Sequence, residues 1–200
     1  MLFRSDPKPT AQSFVAQTRQ RFGEHADAIL AAYPASTDEE ALESAAALGS
    51  DTFIGYSTWK WLEMHGKTGQ SPLYRYSFDR KIPVAPDTKV NGKVATAKDI
   101  GARHAGEIEY VFGQLDTVPK VMWEKSDRAL SDQIMTYWSN FAKTGDPNGS
   151  GLPEWPKYEA GSGYQVMHLD ETSKAGPDAQ RMRYEAIDAF SKPKAPGSAQ

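Results

Sequence analysis

The stretch SDRALSDQIMTYWSNFAKTG, residues 126–145, does most to limit what this chain can fold into. Leu130, Ile134, Tyr137, Trp138 and Phe141 recur at helical spacing and make one wide apolar stripe, and Gly145 stands where such a helix stops. A stripe this wide leaves water only by lying on another layer of structure. PLYRYSF, residues 72–78, is dense in aromatics and bounded by turn residues, which predicts a strand. GYQVMHLD, residues 163–170, predicts a second strand, with His168 alternating with apolar neighbours and half exposed.

The remaining pattern is helical. Thr10 caps a helix carrying Phe14, Val15, Thr18 and Phe22, with Gly23 as its stop. A second helix carries Ala26, Ile29, Leu30 and Tyr33 and ends at Pro34. Thr37-Asp38-Glu39-Glu40 has the capping-box form and opens a helix closed by Gly49. Asp51 opens another, through Phe53, Ile54, Trp61 and Leu62 to Gly66. Residues 79–100 read as a loop, GEIEYVFG as a short helix through Val111 with Glu107 and Tyr110 on one face, and 178–190 as a terminal helix. The coarse class is α/β, mostly helical with few strands. Residues 1–191 are expected to form one segment of an incomplete domain and 192–200 a disordered tail.

Composition removes several classes of function. The net charge is −3 with Lys and Arg scattered, which argues against a nucleic-acid surface. No apolar run approaches the roughly 20 residues of a membrane span. MLFRSDPKPT has no apolar core of an export signal. The absence of cysteine excludes disulfides, thiolate zinc sites and cysteine nucleophiles together.

A catalytic serine would need the G-x-S-x-G elbow, because the tight strand-to-helix turn admits only glycine at its flanks. Gly55-Tyr56-Ser57-Thr58-Trp59 begins that pattern and fails at its last position, while Ser150 and Ser162 have the wrong spacing. Asp146, Asn148, Ser150 and Gly151 imitate the start of a calcium loop, but its twelfth position is Lys157 where a bidentate glutamate belongs. His25, His65, His104 and His168 are far apart and form no H-E-x-x-H, so no metal site and no cofactor is expected. His104 stands out, flanked by Gly101, Ala102, Ala105 and Gly106, which leave room for a substrate. On these residues alone it is either a functional base or a loop histidine bonded to backbone.

YRYSFDR, GARHAGEIEYVFG, QIMTYWSNFAKTGDPNG and LPEWPKY, in that order, resemble the C-terminal part of the type-B carboxylesterases, α/β-hydrolases that include para-nitrobenzyl esterases and cholinesterases. The resemblance runs from about Pro9 to about Phe190. It implies the C-terminal portion of an α/β-hydrolase fold, with His104 as the triad base and Glu107 as a candidate supporting residue behind it. It also implies that the nucleophile, the oxyanion loop and the acid lie upstream of Met1, since triad members in this fold follow the order nucleophile, acid, histidine. Asp79 is the best internal substitute for the acid, ranked low because the family's acid follows the preceding strand.

Choline-ester members tend to carry an aromatic residue where this chain has Gly106, so a broad or uncharged carboxylic ester is the implied substrate of the intact enzyme. The expected partner, besides that ester, is the missing N-terminal half, and the segment is expected to be inactive alone. Without upstream cover, part of the apolar stripe on residues 126–145 is expected to stay exposed. The alternatives are a non-catalytic cholinesterase-like interaction protein and one half of a split esterase. Compartment stays open, since an export signal could lie upstream.

Overall fold

A computed structural model describes residues 8–90, 92–102 and 104–191. The described residues fall into two compact units, 8–69 with 179–191, and Gln70–Asp178. The tail 192–200 lies outside the described residues.

The first unit is helical. Helix α1 (Ala11–Phe22) begins where Thr10 accepts a hydrogen bond from the Ser13 N–H and ends at Gly23, with φ +53°. Phe14, Thr18 and Phe22 are buried, as the spacing predicts, and α2 (Ala26–Ala32) adds Ile29, with Tyr33 just beyond its end. Thr37 caps α3 (Asp38–Ser50) by accepting from the Glu40 N–H. The box is not reciprocal, because the Glu40 carboxylate accepts from the Ser36 N–H instead.

Two expectations fail in this unit. The helix does not stop at Gly49, and Asp51 does not start a new one. A π-turn (Asp51–Gly55) carries α3 directly into α4 (Tyr56–Thr68). The cause is tertiary. Asp51 is buried and accepts from the Tyr33 hydroxyl at 2.7 Å, and a Cβ at Gly55 would lie 3.0 Å from the Tyr184 hydroxyl oxygen. The wider turn also shifts the helical phase. Phe53 and Trp61, through which the helix was expected to run, are 75% and 77% exposed, and Trp59 is the buried residue. The terminal helix, α8 (Arg181–Ser191), starts later than expected, brings Ile187 to this core and buries Tyr184 against Trp59. Asp178, read as its start, accepts from Arg75 and from the Tyr158 hydroxyl.

The second unit holds the sheet. Strand β1 (Tyr76–Phe78) is shorter than PLYRYSF suggests. Within 79–100 the chain forms a small hairpin, β2 (Lys89–Val90) and β3 (Lys93–Val94), then the one-turn helix α5 (Ala97–Ile100). Helix α6 (Ile108–Val111) ends at Val111 as predicted. Helix α7 (Lys125–Thr144) follows, then β4 (Gln165–Leu169) and β5 (Lys174–Pro177), a strand the sequence reading does not include. The sheet order is β1-β4-β5, with β1 and β4 parallel and β4 and β5 antiparallel. Register pairs Tyr76 with Met167, Ser77 with His168 and Phe78 with Leu169.

Alternation then decides which residues meet α7. Tyr76, Phe78, Met167 and Leu169 join Leu130, Ile134 and Tyr137 in one core. The α7 stripe is therefore covered along most of its length within this chain, and only its end, at Phe141, is 49% exposed. Gly145 closes α7 in the left-handed region, φ +75°, donating its N–H to the Phe141 carbonyl. A Cβ there would meet nothing within 4 Å, so the cost of Gly145→Ala is the backbone alone. The expected loss is about 1–2 kcal/mol, read from urea unfolding; an unmoved midpoint would show that the cap relaxes.

Candidate functional site

His104 lies in a turn between α5 and α6. Thr96 and Asp99 form a reciprocal cap on α5, with the Asp99 carboxylate accepting from both the N–H and the hydroxyl of Thr96. These bonds hold the Asp99 carboxyl below its ordinary range. Gly101, φ +70°, turns the chain out of α5. His104 is exposed and Gly106 is buried. Between them, Ala105 has φ +62°, a left-handed conformation that a non-glycine residue seldom holds.

Glu107 is the residue at which α6 begins, and its carboxylate accepts from the Tyr76 hydroxyl at 3.2 Å. Burial, then the Glu107 carboxylate, pushes the Tyr76 phenol well up. The predicted supporting residue is thus tied to β1 of the sheet.

Three residues further on, Tyr110 is fully buried. Its ring meets Phe78 and Trp123 edge-on, at 5.2 and 5.7 Å between centroids. Its hydroxyl donates to Asp127 at 2.8 Å, and its carbonyl accepts from the Ser131 hydroxyl at 2.8 Å. Asp127, with no exposed surface, also accepts from Arg80 Nε at 2.7 Å and from the Glu124 N–H at 2.9 Å. Burial alone would raise the Asp127 carboxyl, but these donors outweigh it and hold it below its ordinary value. Arg80 reaches Glu124 and Glu171 with its remaining nitrogens. Sequence reasoning missed this cluster, because Arg80 and Asp127 are 47 residues apart.

Asp79 is occupied elsewhere. One oxygen accepts from the Ser77 hydroxyl at 2.6 Å, and the other lies 2.6 Å from His168 Nδ1. The β1–β4 register brings Ser77 and His168 side by side on the sheet face opposite the core. The order of this trio is wrong for nucleophilic catalysis, since the hydroxyl binds the carboxylate and not the imidazole. The half-exposed placement of His168 agrees with its alternation in the sequence; its carboxylate partner depends on a register the sequence does not reveal.

The other sequence candidates fall into local structure. Ser57 sits within α4 and donates to the Ile54 carbonyl. Asp146 accepts from the N–H and side-chain amide of Asn148, which closes the calcium-like turn on itself. A recess of about 190 Å³ is lined by Tyr74, Tyr76, Tyr137, Trp138, Phe141 and Trp155, and His104 is not among its walls. None of the described helices is long and apolar enough to cross a membrane.

The model of the carboxylesterase family matches residues 6–187. Carboxylesterase 4A of Bos taurus is 36% identical over 129 residues, covering 64% of this chain and 21% of the relative. Acetylcholinesterase of Gallus gallus is 37% identical over 112 residues, 56% of this chain and 12% of the relative. Among solved structures, two described as PNB esterase align with TM-scores of 0.59 and 0.61 at 22% and 24% identity, covering 94% and 92% of this chain. The fold is that of a partial α/β-hydrolase, mostly helical with few strands. The chain spans 35% of each of those structures and about a fifth of the bovine relative.

Proposed function

Because this chain belongs to the carboxylesterase family, we propose that it is the histidine-bearing part of a carboxylic-ester hydrolase with a serine nucleophile. His104 is its general base. The observation that carries this reading is the exposed imidazole on a turn whose far side is anchored in the core through Tyr110.

In this reaction a serine from outside the present sequence attacks the ester carbonyl while His104 takes its proton. The tetrahedral adduct collapses, His104 returns that proton to the departing alcohol, and an acyl-serine remains. Water then loses a proton to His104 as its oxygen attacks the acyl carbon. The acid departs as the serine oxygen regains the proton. The orienting carboxylate is likewise taken to come from outside this sequence; Asp79, the internal candidate, has its two oxygens on Ser77 and His168. Glu107 supports the turn from the side of Tyr76. With Gly106 after the histidine, the alcohol side of the substrate meets no aromatic wall from that position, which favours a broad or uncharged ester.

The chain alone should release no nitrophenol from short-chain nitrophenyl esters above a buffer control. A serine-directed phosphonate should leave its mass unchanged. Imidazole without a positioned serine is a poor catalyst, so turnover by the purified chain, or a phosphonate adduct on any of its serines, would count against the reading.

A further inference from the structure

We propose that Tyr110 is a positioning residue for His104, acting through both its hydroxyl and its carbonyl; the inference rests on His104 being the base. Four observations support it. Tyr110 is the third residue of α6, the helix that the histidine turn runs into, and it is fully buried. Its hydroxyl is fixed on Asp127, itself held by Arg80 and the Glu124 N–H, so that the acceptor cannot swing away. Its carbonyl is fixed by Ser131, from the next turn of the same helix α7. The turn itself is strained at Ala105, φ +62°, next to His104.

Strain of that kind persists only where the surroundings over-determine the backbone. Within the turn, the Ile108 N–H reaches the Ala105 carbonyl at 3.4 Å. The strong constraints lie further along, at Glu107 through Tyr76 and at Tyr110 through Asp127 and Ser131. Holding α6 by side chain and main chain at once fixes both its rotation and its height against α7. That leaves Ala105 no relaxed alternative, and so sets the direction in which His104 leaves the surface. A catalytic imidazole needs such fixed placement, because a displacement of about 1 Å costs on the order of a hundredfold in rate.

The test uses the whole chain with isotope-labelled histidine. Tyr110→Phe keeps the ring, and Asp127 keeps Arg80 and the Glu124 N–H, so no buried charge is abandoned. The expected result is a His104 imidazole resonance that moves toward that of a freely solvated histidine, with amides 104–109 exchanging at least tenfold faster. The amides of Gln165–Leu169 keep their protection. Ser131→Ala should act in the same direction more weakly, and serves in place of Tyr110→Phe if that variant does not fold.

A lower melting temperature with an unmoved His104 resonance would make the hydroxyl merely structural and overturn the proposal. So would loss of protection across residues 70–178 together. The readout is independent of ester turnover. A His104 that moves here yet proves dispensable in a reconstituted esterase would refute the catalytic reading and leave the positioning intact.

Discussion

Arg80→Ala should destabilise the second unit by about 3–5 kcal/mol, the largest stability effect expected in this chain. Asp127 has no exposed surface and shares one oxygen between Arg80 Nε at 2.7 Å and the Tyr110 hydroxyl at 2.8 Å. Without Arg80 the carboxylate keeps only neutral donors, and its charge stays buried without a counter-ion. Arg80's bonds to Glu124 and Glu171 add little to this, because those carboxylates are 61% and 56% exposed. Asp116→Asn, which breaks the exposed pair with Arg128, should not shift the unfolding midpoint measurably.

The Arg80 effect should depend on pH in a definite direction. Asp127 is held below the ordinary carboxylate value of about 3.9 in the folded chain. Its contribution is therefore present above that value and is lost as pH falls through the lower folded value. In urea titrations the gap between wild type and Arg80→Ala should be full at neutral pH and should narrow at acid pH below the unfolded value. A gap that stays constant into acid would mean that Asp127 is not the group being stranded.

Local signals in the sequence carried much of the fold. Thr10 and Gly145 act within one turn of their helices, and both caps stand where the residues place them. The α7 stripe and the β4 alternation are likewise local periodicities, and both hold. The junction at residues 51–55 was not legible. A glycine at 49 and an aspartate at 51 look like a stop and a start, and only the distant Tyr33 and Tyr184 make a continuous helix with a π-turn the better solution. That added residue rotated Trp59 inward and left Trp61 in water.

The candidate site divides along the same line. Small neighbours drew attention to His104, while its proposed role as base, and Glu107 as a supporting candidate, rest on the family resemblance. The long-range polar pairings of this unit were not visible. Asp79 finds His168 across a parallel register, and Tyr110 finds an aspartate that reads, in sequence, as an ordinary helix-start residue. Long-range pairing of polar groups leaves no periodicity behind.

In the proposed function His104 serves as the base of an ester hydrolase completed by residues outside this sequence. The direct measurement is to combine the chain with the serine-bearing portion of a PNB esterase and follow nitrophenyl ester hydrolysis with wild type and His104→Ala. Members of a catalytic triad act as a unit, and losing one can cost on the order of a million-fold in kcat. Turnover is expected only in the combination, with a collapse in kcat and little change in KM when His104 becomes alanine. Turnover by the combination that survives His104→Ala, or turnover by the chain unassisted, would contradict the proposed function.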